Sequence, residues 1–222
     1  MTINGIEKKR KLTLGCPQGG VLSVLLWSLV FDDLLNKFTK GRITCVGYAD
    51  DGCLIIQGND LENMYKSMNK GLQLASNWAK ANGLELSPSK TVAMVFTNKH
   101  DYKQPTTNLQ VDGNIITPST ETKYLGVTLD NKLNWATHIN NKITQAKRLL
   151  FKLRGTIGKL WGPCPSMMIW AYKTMVRPII TYCSFVWAHK LTQEQKNQLA
   201  SLQRLALSMT AHMRHGLSLI HI

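Results

Sequence analysis

Apolar positions along the chain recur at two different periods, and the change between them organises it. From Val21 to Phe38 the sequence is apolar on most sides of a helix, which predicts a buried helix rather than an amphipathic one. Leu61, Met64, Tyr65, Met68, Leu72, Ala75 and Ala79 then repeat every three or four positions, with Asn59-Asp60 as cap and Asn82-Gly83 as stop. Between these helices, the β-prone runs Ile43 to Val46 and Cys53 to Ile56 flank a polar centre, Ala49-Asp50-Asp51-Gly52. Asp-Gly between apolar runs signals a hairpin, expected here with its strands buried in a sheet. Ile6 to Leu14 and Thr91 to Phe96 read as further strands. Leu109 to Ile116 reads as a second hairpin turning at Asp112-Gly113-Asn114, and Tyr124 to Leu129 as a returning strand.

Beyond Trp135 the pattern is helical throughout. Trp135, Ile139, Ile143, Ala146, Leu150, Leu153 and Ile157 form one stripe. Gly162-Pro163-Cys164-Pro165 breaks it, Met167 to Val176 resumes it, and Pro178 suits a kink or the first turn of a helix through Trp187. Thr192-Gln193-Glu194-Gln195 is a capping box opening a last helix with Leu199, Leu202, Leu205, Ala206 and Met209 inside. No period continues from His212, so 212–222 is expected to be a disordered tail. The fold class is α+β.

The polar interruptions carry the candidate chemistry. Asp50 and Asp51 at a strand end suit a hard, oxygen-seeking divalent cation, although Asp-Asp-Gly is also ordinary turn chemistry. Gly15-Cys16-Pro17-Gln18-Gly19-Gly20 turns sharply and opens into a helix N-terminus, which favours a phosphate or nucleotide; a plain loop-to-helix junction is the alternative. Lys90 can neutralise or protonate a leaving group that gains negative charge, or simply grip a phosphate or face water, and both readings stand. Asp32 and Asp33, at the end of the first helix, read as solvated surface.

Four stretches in order resemble the reverse transcriptases of non-long-terminal-repeat retrotransposons of the jockey and I kind. Gly15-Cys16-Pro17-Gln18-Gly19-Gly20-Val21-Leu22-Ser23 is similar to the nucleotide- and template-facing loop, and Tyr48-Ala49-Asp50-Asp51 to the catalytic hairpin. Leu84-Glu85-Leu86-Ser87-Pro88-Ser89-Lys90-Thr91 resembles the next motif, and Tyr124-Leu125-Gly126-Val127 the primer grip. Val24 stands where the family usually has proline, and Ser87 where it has asparagine. The resemblance implies a partial polymerase palm over 1–131, with a primer-grip-like hairpin at 109–129, and a helical thumb and extension over 132–211. It implies Asp50, Asp51 and Lys90 as catalytic residues and Asp50 and Asp51 as ligands of magnesium in a two-metal site. Pro17, Gln18, Gly19, Tyr48 and Ala49 would border nucleotide and template, and Leu125 and Gly126 the primer. The strand bearing the third catalytic carboxylate is expected before Met1, so weak or no activity, an uncovered apolar face and poor solubility are expected of this chain alone.

Charge adds the partner. The net charge is +14, from 27 Lys and Arg against 13 Asp and Glu, which points to a polyanion. Between Leu133 and Glu194 there is no acidic residue, while Lys142, Lys147, Arg148, Lys152, Arg154 and Lys159 surround the apolar stripe. Those six are expected to contact nucleic-acid backbone, a solvated basic face being the alternative. No apolar run reaches membrane length and Met1 to Arg10 has no signal-peptide pattern. Five scattered cysteines without zinc spacing fit reduced thiols, hence a nuclear or cytoplasmic protein that is not secreted. The expected function is RNA-directed DNA synthesis from an RNA template, a DNA primer and deoxynucleoside triphosphates. A non-catalytic nucleic-acid-binding remnant of a mobile element is the alternative, and nothing in these residues points to a maturase-like splicing factor.

Overall fold

The structure, a computed structural model, describes residues 2–3, 6–7, 15, 17, 19–39, 41–97, 105–156 and 163–210. Two compact units emerge: Met1–Ala93 with Lys99–Ser119, and Met94–Asn98 with Thr120–Ile222.

In the first unit, β1 (Thr2–Ile3) pairs with β2 (Ile6–Glu7). Helix α1 (Val21–Phe38) precedes an antiparallel hairpin of β3 (Ile43–Tyr48) and β4 (Asp51–Ile56), and α2 (Leu61–Ala81) follows. The Asp60 carboxylate accepts from the Glu62 N–H at 3.1 Å, and Gly83, at φ +69°, lets Leu84 N–H reach back to Ala79 O at 2.8 Å. Both ends of α2 therefore follow from local chemistry. Its core joins Phe31, Leu34 and Phe38 of α1, Ile43 of β3, and Ala75, Trp78 and Ala79 of α2.

A second hairpin, β5 (Leu109–Val111) with β6 (Asn114–Ile116), turns through Asp112 (φ +48°) and Gly113 (φ +81°), the pairing that an Asp-Gly turn favours. It is tied to α2: Asp112 Oδ1 accepts from Ser76 Oγ and from Lys80 Nζ, both at 2.5 Å. Those contacts hold the Asp112 carboxyl below its ordinary range, Lys80 contributing most. Glu62 holds the preceding segment by accepting from Thr107 Oγ1 and from the N–H groups of Thr106 and Thr107.

The second unit contains a third hairpin, β7 (Glu121–Tyr124) with β8 (Val127–Asp130), and then helices. Asp130 organises the connection: its Oδ1 accepts from the N–H groups of Lys132 and Asn134, and its Oδ2 from that of Trp135 at 2.7 Å. Helix α3 (Ala136–Arg154) follows and buries His138, Ile139, Ile143, Ala146 and Leu150. Helix α4 (Pro165–Ala171) runs through a π-helical turn, Tyr172–Val176, into α5 (Arg177–Thr181). The short α6 (Ser184–Trp187), a 3-10 turn at Ala188–Lys190 and α7 (Gln193–Thr210) complete the unit. The expected capping box is present in both directions, Gln195 N–H to Thr192 Oγ1 at 3.2 Å and Thr192 N–H to Gln195 Oε1 at 3.0 Å.

Five sequence expectations change. The described strands form four separate two-stranded ladders, so the hairpins are not buried in one larger sheet. Among the described residues Thr91 to Phe96 makes only an isolated bridge, Ala93 to Pro118, and so forms no ladder. Helix α1 is buried only from Phe31 onward, whereas Val21, Leu22, Val24, Leu25, Leu26 and Leu29 are each at least 49% exposed. It packs on the core it shares with β3 and α2 only from Trp27 onward, and no described element buries Val21, Leu22, Val24, Leu25 or Leu26. Residues 109–129 are not one hairpin: β5–β6 and β7–β8 are separate ladders, and the chain reverses again at Leu125-Gly126. The reason is packing, since Val127 of β8 shares a core with Trp135, Ile139, Ile143 and Trp187. The helix expected from Pro178 through Trp187 is interrupted where Cys183 turns to φ +51°.

Candidate active site

The catalytic candidates sit on the β3–β4 hairpin, and its register fixes what each face carries. Gly47 pairs with Gly52 and Tyr48 with Asp51, leaving Ala49 and Asp50 as the turn. The reversal is therefore two positions earlier than Asp51-Gly52, whose residues already lie in β4. Gly47 serves packing. A Cβ on Gly47 would lie 2.1 Å from Phe31 Cε1, so only glycine lets α1 press its ring against this strand. Alternation then puts Cys45, Leu54 and the two glycines toward α1 and α2, and Tyr48 and Asp51 on the opposite face.

The turn itself is held from α1. Trp27 donates its indole N–H to Ala49 O at 2.6 Å, and Ala49 takes φ +53°, a conformation an L-residue adopts only at a cost. Trp27 also packs on Phe31, centroids 5.8 Å apart, and Phe31 meets Trp78 edge-on at 6.1 Å. Trp78 in turn donates to Asp33 Oδ2 at 3.0 Å, and Asp33 pairs with Lys37 at 3.4 Å. Asp33 is thus a structural carboxylate joining α1 to α2. Neither Trp27 nor Phe31 was visible as a site residue in the sequence; their spacing of four on α1 opposite a Gly-rich hairpin was the available signal.

Asp50 and Asp51 are both exposed at the tip. Neither has an ion-pair partner among the described residues. Two adjacent solvent-facing carboxylates fit part of the donor set of a hard cation that keeps several waters. Among the described residues no group of three or more His, Cys, Asp or Glu side chains gathers, so these two do not close a metal site by themselves.

In the loop before α1, Gly20 N–H returns to Pro17 O at 3.1 Å with Gly19 at φ +82°, and Ser23 Oγ donates to the same carbonyl at 2.7 Å. Pro17 and Gly19 are exposed beside the start of α1, while Gln18 lies outside the described residues. Lys90 is exposed at the end of a turn where its N–H reaches Ser87 O at 3.2 Å and the Thr91 hydroxyl donates to the same oxygen at 2.7 Å. No ion pair joins Lys90 to Asp50 or Asp51 among the described residues.

Within the second unit, Leu125 (φ +45°) and Gly126 (φ +78°) form the β7–β8 turn. On α3, helical spacing puts Arg148 and Lys152 opposite the buried stripe, Lys147 and Arg154 along one flank and Lys142 along the other. The cations therefore line three sides of the helix instead of one face. Lys159 lies outside the described residues.

The family model described as reverse transcriptase (RNA-dependent DNA polymerase) matches residues 1–129. The chain belongs to the reverse transcriptase family. It is similar to the Retrovirus-related Pol polyprotein from type-1 retrotransposable element R1 of Nasonia vitripennis, 26% identical over 87% of this chain and 58% of that protein. The protein of the same name in Bradysia coprophila is 27% identical over 91% of the chain and 20% of its own length. The RNA-directed DNA polymerase from mobile element jockey of Drosophila funebris is 23% identical over 84% and 21%. The chain thus spans about half the length, or less, of these relatives. No solved structure matches it. No described helix is long and apolar enough to cross a membrane.

Proposed function

We propose that this reverse transcriptase chain serves RNA-directed DNA synthesis for a retrotransposon, in the nucleus or cytoplasm, with an RNA template, a DNA primer and deoxynucleoside triphosphates as substrates. The observation that carries this reading is the pair Asp50-Asp51, exposed at a hairpin tip that Trp27 clamps to α1 in a chain of this family. The two carboxylates would hold magnesium, which when bound neutralises charge on the attacking 3′ oxygen and on the leaving phosphate oxygen. Trp27, Phe31 and Gly47 keep the carboxylates at a fixed height, a positioning role in which small displacements are costly. Tyr48, on the face of Asp51, would meet the primer end, and Pro17, Gln18, Gly19 and Ala49 the nucleotide and template. Lys90 would face the pyrophosphate. Residues 1–131 then act as palm and 132–211 as thumb, with Leu125 and Gly126 near the primer and the α3 cations on backbone phosphates.

Two carboxylates are one fewer than the family's metal site uses, and no third gathers beside them among the described residues. Primer extension by this chain alone is therefore expected to be weak or nil. That observation, with the acid-free stretch from Leu133 to Glu194, favours one second reading, a nucleic-acid-binding remnant without chemistry. Primer extension on an RNA template with magnesium, comparing the chain with Asp50→Asn, decides between them. Extension lost in the variant supports the polymerase; no extension from either, with salt-sensitive duplex binding, supports the remnant.

A further inference from the structure

The β7–β8 turn is held by a residue that no motif singled out. Tyr182 donates its hydroxyl to Leu125 O at 2.7 Å across 57 positions of sequence. Its ring also lies against the next residue: a Cβ on Gly126 would sit 3.2 Å from Tyr182 Cε1. Leu125 at φ +45° is a strained choice for the first residue of a two-residue turn, so the conformation needs an outside partner. Lys142 of α3 places its ammonium 5.3 Å from the centroid of the same ring. A cation held on an aromatic face is restricted in its rotamers without being neutralised, and Lys142 and Tyr182 both lie in the acid-free stretch.

We propose that Tyr182 is the positioning residue of this corner: its hydroxyl fixes the Leu125-Gly126 turn, and its ring fixes the Lys142 ammonium for the backbone-phosphate contact proposed above. The assignment builds on the proposed nucleic-acid function and gives that function a defined contact outside the β3–β4 hairpin. The hydroxyl sets the turn, and the ring sets the lysine. These two roles separate by substitution.

The test combines hydrogen exchange over 121–130 with fluorescence anisotropy of an RNA–DNA duplex bearing a recessed 3′ end, across a salt series. Tyr182→Phe keeps the ring and is expected to raise exchange at the turn about tenfold, the loss of one hydrogen bond, with the salt slope unchanged. Lys142→Gln is expected to lower the slope of log affinity against log salt by about 0.9, one phosphate contact, with exchange unchanged. Tyr182→Leu should do both; the Phe and Gln variants carry the test if it does not fold. Unaltered exchange in Tyr182→Phe overturns the positioning role, and an unaltered slope in Lys142→Gln overturns the phosphate site. Displacement of the duplex by inorganic phosphate at equal phosphate concentration reassigns the site to a free anion and overturns it as a nucleic-acid contact. A chain that binds no duplex refutes the phosphate site, whereas one that binds but does not extend primers leaves it standing and refutes only the polymerase reading.

Discussion

The hairpins β3–β4 and β7–β8 share one mechanical device and differ in the chemistry it supports. Each reverses through a first turn residue that is not glycine yet sits at positive φ, Ala49 at +53° and Leu125 at +45°. In each, an aromatic side chain from a helical segment donates to the carbonyl of that residue, Trp27 to Ala49 and Tyr182 to Leu125. Each uses a glycine to let an aromatic ring come close, Gly47 for Phe31 and Gly126 for Tyr182. The first tip carries two carboxylates; the second lies in a unit whose helices carry cations and no acid from Leu133 to Glu194. A turn residue in a costly conformation, fixed by a distant donor, is a way to hold a tip still whatever the tip carries.

The comparison breaks most visibly at the carboxylates. Asp50→Asn is expected to reduce any primer extension by about 10³-fold or more, since several kcal/mol of charge stabilisation depend on the ligand. Duplex binding should persist, because the cations lie elsewhere. Gly47→Ala comes next. Its methyl meets Phe31 with nowhere to go, and urea unfolding of the first unit should show about 1–3 kcal/mol lost. Much of that loss should return when Phe31→Leu is added, which would confirm the ring as the cause.

Gly126→Ala probes the second tip and should cost less, about 1–2 kcal/mol, because its contact is 3.2 Å and the left-handed φ of +78° supplies most of the penalty. Trp27→Phe sharpens the first clamp: losing one hydrogen bond costs about 1 kcal/mol and should raise amide exchange at 47–52 more than global unfolding does.

The smallest effect is in pH. His138 Nδ1 accepts from Thr128 N–H at 3.1 Å, linking α3 to β8, and burial followed by nearby Lys142 lowers its pKa. Its neutral form is the folded one, so stability is full above the ordinary histidine value and falls as pH drops through about 6.5, where the unfolded chain takes up the proton first. Glu62 behaves alike at lower pH. Its pKa is lowered from 4.5 to about 2, chiefly by the Thr107 hydroxyl, so its hold on 105–107 is lost only as pH falls between those values. Melting temperatures at pH 7.5 and 5.5 should therefore differ in wild type and converge in His138→Leu, while Glu62→Gln leaves that interval unchanged.

How much was legible beforehand follows from the range of each interaction. The caps at Asp60 and Thr192, the stop at Gly83 and the Asp112-Gly113 turn are satisfied within a few residues, so their chemistry is written locally. The β3–β4 hairpin was legible as a hairpin, but its turn lies two residues before Asp51-Gly52, because those two pair in β4 with Tyr48 and Gly47, and Gly47 is the glycine that packing on Phe31 demands. The exposed half of α1 was misjudged for a related reason: periodicity reports that a face is apolar, and cannot report what covers it.

By itself the sequence determined the order of elements, the two adjacent carboxylates at a strand end, the cationic acid-free stretch and the resemblance to reverse transcriptases. Those features depend on residue identity and near spacing, which a chain carries whether folded or not. Only the tertiary structure decided which aromatic reaches which turn, since Trp27 acts across 22 positions and Tyr182 across 57. It also assigned the β7–β8 hairpin to the helical unit, through Val127 packing with Trp135, Ile139 and Trp187. Local patterns fix the pieces because hydrogen bonds and capping act over a turn. Partners are chosen by apolar surfaces that meet only after the chain has folded, and burial has no direction in sequence.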